Sequence, residues 1–451
     1  MALSENLIFN VTKKEPELVC ANTKTPTSTN HEIKRLSDID DQKGLRFLQP
    51  SILFYPPSSS TIDPVGAIRY GLAKALEAYY PLAGRLFEGP NEKLMVDCNN
   101  EGVVFVEAEA DVKLEELRDG ILTKFAFVPK LSSNLPKLFC NVPGSDAIIG
   151  NPLLFVQATR FTCGGFSLGL LFNHSLIDGS GLMLFLNAIG EFAKGASKPS
   201  VAPVWRRDLL DARSPPKITC IHNEYDHNFL SKKPLKYPKD TFILTSIIFG
   251  SKEIQALHNQ LPKGRFTSFD VITACLWKCR TIALEAHPDD IVRITLVVNL
   301  RYGAFGVSLP QGYYGNAFVS PAAISKASTL CESPLEHIAN LIQKTKSQVN
   351  EEYIKSVADL MVIKGRPKLA DTWNFVVSDL RKIGYGEPDL GFGEPCFTGV
   401  PWANSLDTFY DNVKCDGGEK GILVTLGLPS MAIEKFQFEV KKMIREPISK
   451  Y

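Results

Sequence analysis

Seven histidines occur in this chain, and six of them, His31, His222, His227, His258, His287 and His337, stand in polar or exposed-looking stretches. The seventh, His174, directly follows an apolar run, at the junction Leu171-Phe-Asn-His174-Ser-Leu-Ile-Asp178-Gly179-Ser180-Gly181. A strand end, a glycine-rich turn and a helix start make a common seat for reacting groups, because the sheet holds the backbone while the turn projects a side chain. Imidazole titrates near neutrality, so there it could take the proton of an attacking hydroxyl. A lone histidine at a strand end is more often a core residue bonded to a neighbouring carbonyl. Asp178 shifts that balance. A carboxylate in so apolar a stretch needs a partner, because burying it alone is costly. It could face His174, or it could face an arginine and lock the loop. Cys163, eleven residues upstream of His174, is the alternative nucleophile, but it sits in a turn with no basic neighbour in sequence.

The elements that must position this loop alternate between helical and strand patterns. Asp63-Pro64 opens a helix over 65–80, which Pro81 stops. Pro152 to Thr159 and Gly165 to Phe172 read as two buried strands joined by a turn at Cys163-Gly164, and Ser180 to Lys194 as a long apolar helix. Ala196 to Tyr225 carries Pro199, Pro203, Pro215 and Pro216 with little periodicity and reads as a linker. The second half repeats the mixed pattern, with strands at 242–249, 292–299 and 423–428 and helices at 251–261, 268–284 and within 334–363. The expected division is 1–195, a linker at 196–225, and 226–451. The fold class is mixed α/β, two domains about a shared cleft.

Composition excludes several functions. Fifty Lys plus Arg stand against 49 Asp plus Glu, a net charge of +1 with no long single-sign run, so a nucleic-acid surface is not expected. The ten cysteines are scattered without a C-x-x-C pair, so neither a metal site nor a disulfide framework is expected. No window offers a membrane span or a secretory signal. The chain is expected in the cytoplasm; its Ser449-Lys450-Tyr451 end is a poor version of a peroxisomal signal.

His174-Ser-Leu-Ile-Asp178-Gly179 resembles the H-x-x-x-D-G motif of the BAHD plant acyltransferases. Asp389-Leu-Gly391-Phe-Gly393 looks like their D-F-G-W-G motif, with Leu390 and Phe392 in place of the usual Phe and Trp. Tyr80-Pro-Leu-Ala-Gly-Arg85, Val298-Asn-Leu-Arg301 and Tyr313-Tyr-Gly315-Asn316 resemble further family segments in the same order. Leu36-Ser-Asp-Ile-Asp-Asp-Gln42, Leu94-Met-Val-Asp-Cys98, Val142-Pro-Gly-Ser-Asp146 and Glu352-Tyr-Ile-Lys-Ser-Val-Ala-Asp359 resemble the benzyl alcohol O-benzoyltransferase group, which includes fruit alcohol acyltransferases. The stretches 122–138 and 401–415 look unlike that group, and both could border the acceptor pocket.

The resemblance implies two chloramphenicol-acetyltransferase-like domains with an interdomain tunnel. Acyl-CoA, a co-substrate rather than a bound cofactor, would enter from one face and an alcohol from the other. It implies a metal-free monomer that forms an ester in a ternary complex without an acyl-enzyme. His174 would be the general base, and Asp178 would point away and pair with Arg301, a bidentate pair that fixes the loop. Asp389, Gly391 and Gly393 would be structural support. Benzoyl-CoA is the first-choice donor, then acetyl-CoA, with benzyl alcohol the first-choice acceptor. The alternatives are the hydroxyl of a specialised metabolite such as a terpenoid or alkaloid, or a non-catalytic acyl-CoA-binding relative. From residue type and position, Thr267, Ser268, Lys278 and Arg280 could meet pantetheine or phosphates at a helix start, or be solvated. Asn316 could be a donor to the thioester oxygen, or serve its own turn.

Overall fold

A computed structural model describes residues 8–21, 32–59, 61–121, 134–140, 142, 147–228, 242–384, 387–401, 407–414 and 418–445. The Ser449-Lys450-Tyr451 end and most of 122–138 lie outside the described residues. The first half runs β1 (Val11–Lys13), β2 (Glu17–Val19), β3 (Ile33–Arg35), β4 (Leu48–Tyr55), α1 (Pro64–Ala78), β5 (Arg85–Glu88), β6 (Leu94–Asp97), β7 (Val103–Ala110), α2 (Leu114–Ile121), β8 (Leu154–Phe161), β9 (Phe166–Asn173) and α3 (Gly179–Ala193). The second half runs β10 (Phe242–Phe249), α4 (Ser251–His258), α5 (Ser268–Ala283), β11 (Ile291–Asn299), β12 (Phe318–Val319), β13 (Ala322–Lys326), α6 (Ala327–Glu332), α7 (Leu335–Ser347), α8 (Glu351–Ile363), β14 (Asn374–Asp379), β15 (Phe397–Gly399), β16 (Asp407–Lys414), β17 (Lys420–Pro429) and α9 (Ile433–Ile444).

Among the described residues these strands form two seven-stranded sheets and one of three strands. The first large sheet has the order β1-β7-β8-β9-β4-β15, with β2 also on β7; the second has β10-β17-β16-β14-β11-β12, with β13 also on β11. Both are mixed: β7 and β8 run parallel, as do β11, β14 and β16, and the remaining pairs are antiparallel. Each sheet buries one face under helices. Leu168, Leu170 and Phe172 of β9 pack with Leu182, Leu186 and Ile189 of α3 and with α1. Phe375, Val377, Val424 and Leu426 of the second sheet pack with α5, α7 and α9.

Strand β9 lies centrally, between β8 and β4, and is buried on both faces, as its continuous apolar run requires. It begins at the Cys163-Gly164 turn and ends at Asn173, so the turn and His174 are separated by the whole strand, about 25 Å. Cys163 therefore sits at the far end of the sheet from His174, with its Sγ accepting the Leu114 N–H. The helix starts are built as their residues demand. Asp63 caps α1 through the Gly66 N–H with Pro64 in the first turn, and Asp178 caps α3 through the Gly181 N–H.

The division of the chain into 1–195 and 226–451 needs one amendment. Strand β15, from the second half, pairs antiparallel with β4 of the first sheet, Thr398 opposite Leu53. The Asp389-Leu-Gly391-Phe-Gly393 loop that precedes it also packs on the first half. Leu390 and Phe392 join the core beneath α3, and Phe392 meets Phe166 edge-on. The open edge of β4 is what the returning segment covers, so the second half closes a sheet that the first half leaves unfinished.

Candidate active site

The turn that carries His174 is pinned from both sides. Its backbone N–H donates to the Phe47 carbonyl at 3.0 Å. Asn173 Oδ1 accepts the Ser175 N–H at 3.0 Å, and Ser175 Oγ donates to the Leu45 carbonyl at 3.1 Å. The imidazole stands among Phe47, Phe172 and Phe318, with ring centroids 5.4, 6.0 and 6.1 Å away. It lies deep within the protein yet keeps some accessible surface. Burial pushes it below the ordinary histidine value near 6.5, against its own carbonyl, Asp178, Asn316 and Asp40, which act the other way. The ring is therefore neutral at pH 7, as a base must be.

The bond network fixes which nitrogen carries the proton. Asn316 Nδ2 lies 2.8 Å from Asp40 Oδ1 and 2.7 Å from the His174 carbonyl oxygen. Both are acceptors, so the NH2 group must face them, and Asn316 Oδ1 is left facing His174 Nδ1 at 3.1 Å. An amide oxygen only accepts, so Nδ1 bears the hydrogen and Nε2 presents its lone pair. Asn316 thus has both amide hydrogens committed and none for a thioester oxygen. The expectation that it contacts the co-substrate is not met by this arrangement: its amide is taken up by Asp40 and His174.

Asp178 does not face His174. Its Oδ1 accepts from Gly181 N at 2.9 Å, and its Oδ2 accepts from Arg301 Nη1 at 2.7 Å and Ala317 N at 3.0 Å. Of the two partners left open by its position, it takes the arginine. The pair is not bidentate, however. Arg301 spends the rest of its fork on the backbone, with Nη2 donating to the Gly315 carbonyl at 2.6 Å and to the Tyr313 carbonyl at 3.2 Å, and Nε to the latter at 3.3 Å. One guanidinium thereby ties the first-half loop to the 313–317 turn that carries Asn316. Asn299, at the end of β11, adds a bond to Ser180 Oγ at 3.0 Å.

The second motif is a structural clasp. Asp389 Oδ1 accepts the N–H groups of Gly391 and Gly393 at 2.8 and 3.0 Å, and Oδ2 pairs with Lys194 at the end of α3 at 3.1 Å. Gly391 and Gly393 have φ of 97° and 90°, which side chains rarely adopt.

The residues expected to meet the co-substrate are dispersed around α5. Thr267 caps it, with its hydroxyl and N–H on Asp270, whose carboxylate also pairs with Lys346. That helix N-terminus already faces an anion of its own. Thr267 is exposed and Ser268 half-buried, while Lys278 Nζ donates to the Ser333 carbonyl at 2.6 Å. Arg280 is corrected: it is 5% exposed with its guanidinium 5.1 Å from the Phe375 ring, in the second core, where a phosphate from solvent finds almost no surface. Sequence reading missed Asp40 as a partner of the site. Its signal, an acidic cluster between Ile39 and Gln42 in a segment otherwise fit for burial, needed a partner that only the fold reveals. Among the described residues, no cluster of three metal-ligating side chains occurs, and no helix is long and apolar enough to cross a membrane.

Comparison with known proteins shows the family of the chain. The chain is 47% identical over 450 residues to alcohol acyl transferase 1 allele GSa of Malus domestica, covering 98% of this chain and 95% of that one. It is 45% identical over 451 residues to benzyl alcohol O-benzoyltransferase of Petunia hybrida, with the same coverage. Among solved structures, vinorine synthase superposes over 98% of this chain and 100% of its own with a TM-score of 0.73 at 21% identity. TRI101 of F. sporotrichioides, complexed with coenzyme A and T-2, covers 91% of this chain and 98% of its own with a TM-score of 0.69 at 16% identity. These two share the fold. A family model described as the Transferase family matches residues 9–443, and with relatives this similar over nearly the whole length the chain belongs to that family, the BAHD acyltransferases.

Proposed function

We propose that this protein is an acyl-CoA-dependent O-acyltransferase that makes an ester from an acyl thioester and an alcohol, with His174 as general base. The observation that carries the proposal is the bond network: the Asn316 NH2 lies on Asp40 and the His174 carbonyl with its oxygen on Nδ1, which leaves a neutral imidazole to offer Nε2 among aromatic rings. The alcohol oxygen attacks the thioester carbonyl as its proton passes to Nε2. Collapse of the tetrahedral intermediate breaks the C–S bond, and the same proton goes to the departing thiolate. Such general-base help is worth roughly a hundred- to ten-thousand-fold. No acyl-enzyme is needed, and Cys163 is too distant to form one with this base.

The donor we favour is benzoyl-CoA, then acetyl-CoA, and the acceptor benzyl alcohol. The names of the Malus and Petunia relatives support an alcohol acceptor, and the Phe47, Phe172 and Phe318 rings beside His174 support an aromatic one. The two substrates would approach from opposite faces between the halves. A narrow apolar crevice of about 40 Å³ parts the two sheets between Ile52, Phe54 and Phe397 on one side and Leu244, Leu423 and Thr425 on the other, and is a candidate stretch of that route. Thr267, Ser268 and, about three turns further along α5, Lys278 keep accessible surface and stay candidates for coenzyme contact. Nothing in this chemistry calls for a second chain, and the enzyme is proposed to act as a cytoplasmic monomer in plant specialised metabolism. The test is free-thiol release from benzoyl-CoA and acetyl-CoA across a panel of aromatic, aliphatic and terpenoid alcohols. Thiol release that depends on the alcohol supports the proposal. Saturable acyl-CoA binding without thiol release from any pair would overturn it.

A further inference from the structure

Behind the His174 loop, three parts of the chain that are distant in sequence converge on one buried carboxylate. Asp40 has no solvent exposure. Its Oδ1 accepts from Arg207 Nη1 at 2.8 Å, Asn316 N at 2.9 Å and Asn316 Nδ2 at 2.8 Å. Its Oδ2 accepts from Arg207 Nη1 at 2.8 Å, Ser37 Oγ at 2.6 Å and Ser37 N at 3.1 Å. Arg207 belongs to the 196–225 crossover and is itself 3% exposed, stacked 4.4 Å from the Trp205 ring. Its Nη2 donates to the Leu176 carbonyl at 2.7 Å, inside the catalytic loop. Room for it is reserved: a Cβ on Gly315 would fall 1.7 Å from Arg207 Nη1. A buried ion pair adds little net stability over apolar packing, so its location directly behind the base calls for another account.

We infer that Asp40 is a positioning residue for the transfer reaction, selecting through Asn316 the tautomer of His174 whose Nε2 can accept a proton, with Arg207 holding Asp40 in place. The inference rests on the reading of His174 as the general base. An ionised carboxylate accepts hydrogen bonds and donates none. Facing Asp40, the Asn316 amide has one satisfactory orientation, NH2 toward the carboxylate and oxygen toward Nδ1. With a neutral amide at position 40, the His174 carbonyl alone still requires the NH2 of Asn316, and with that single hold the side chain can turn over. Its NH2 then meets Nδ1, the ring proton moves to Nε2, and the base loses its lone pair. The control acts through one intermediate side chain, without contact between Asp40 and the substrate.

The experiment compares wild type with Asp40→Asn by steady-state thiol release and by 15N NMR of histidine-labelled protein. The His174 signals are identified by their loss in His174→Ala. Wild type should show His174 protonated on Nδ1. Asp40→Asn should show the proton wholly or partly on Nε2, with kcat lower by roughly a hundredfold or more and KM for benzoyl-CoA unchanged. The double variant Asp40→Asn, Asn316→Asp returns a carboxylate to Nδ1. It should restore the wild-type tautomer and part of kcat, and move the acid limb of the pH profile upward, because an adjacent carboxylate favours imidazolium. A residue needed only for packing would give no such rescue. A wild-type His174 protonated on Nε2 overturns the inference even if Asp40→Asn does not fold. So does a folded Asp40→Asn with unchanged kcat, or one whose kcat falls while the tautomer stays. Absence of turnover in wild type would instead count against the proposed function, and the NMR arm still reads the tautomer.

Discussion

Replacing Asp178 by asparagine separates a carboxylate that holds a loop from one that handles a proton. The native side chain accepts the Gly181 N–H on one oxygen, and Arg301 Nη1 and the Ala317 N–H on the other. Asparagine keeps one oxygen. If that oxygen stays on Arg301 and Ala317, the new NH2 confronts the Gly181 N–H and the cap of α3 is lost, at about 1 kcal/mol. If it turns to Gly181 instead, an arginine and a backbone N–H face an amine, and breaking a fully buried pair costs about 3–5 kcal/mol. The Arg301 side chain is 13% exposed, so solvent lowers the second figure, but the first arrangement still wins. The expected loss of stability is about 1–3 kcal/mol, the cap plus a weakened charge-assisted bond. Because Arg301 also holds the carbonyls of Tyr313 and Gly315, some of that strain reaches Asn316 and the base. At 1.4 kcal/mol per tenfold, kcat/KM should fall by roughly 5- to 150-fold at most. The imidazole keeps its surroundings, so the shape of the pH profile should stay. Denaturant unfolding and a pH series of kcat/KM measure both effects. The reasoning is refuted by full activity at normal stability, which would mean the pair does not hold the loop. It is equally refuted by a loss beyond about a thousandfold at unchanged stability, which would give Asp178 a direct part in proton transfer.

Further outcomes follow from the same geometry. Because burial lowers the His174 pKa, the acid limb of kcat/KM should lie below 6.5; a limb at or above that value would contradict a neutral, buried base. Gly190→Ala places a Cβ 2.0 Å from the Asp389 carbonyl oxygen, backbone that cannot yield cheaply, so α3 and the Asp389 loop must part. A lower denaturation midpoint, worth about 1–3 kcal/mol, is expected. Burial, with the like charge of Asp379, pushes Asp411 up to about 7. The folded state thus keeps a proton that the unfolded chain loses above about pH 4, and stability falls as pH rises from there to 7. Asp411→Asn should therefore be more stable than wild type at pH 8 by a few kcal/mol on the order of magnitude, with no difference at pH 4. Unfolding curves at the two pH values decide it. Cys163→Ser should leave thiol release unchanged, since the thiol stands a strand's length from the base.

The parts of this fold legible in sequence are those governed by local patterns. The apolar run of β9, the Asp-Pro start of α1 and the glycine-rich entry to α3 each announce themselves within a dozen residues, and so the perch of His174 could be read directly. Strand β4 could not. Pro50 argues against an interior strand, and it is tolerated because β15 covers only Ile52 to Phe54, leaving Pro50 beyond the paired edge. The pairing of Asp178 with Arg301 was left open by the residues themselves and supplied by family resemblance; the shape of that pair, one bond with the rest of the fork on carbonyls, was not. Arg280 misled because a basic residue on a helix reads as solvated or phosphate-binding, whereas it lies in the last turn of α5 and faces inward over Phe375. The Asp40–Asn316–His174 chain was invisible for a different reason. Its links span 276 and 142 residues, no periodicity joins them, and a buried carboxylate declares only that a partner exists somewhere.

The role of His174 as the base is tested most directly by alcohol-dependent thiol release from benzoyl-CoA by wild type and His174→Ala, side by side, with acyl-CoA binding measured on both. The expected result is turnover that drops by roughly a hundredfold or more in the variant while acyl-CoA still binds. A variant that binds acyl-CoA and turns over within about tenfold of wild type would place the proton transfer elsewhere and contradict the account.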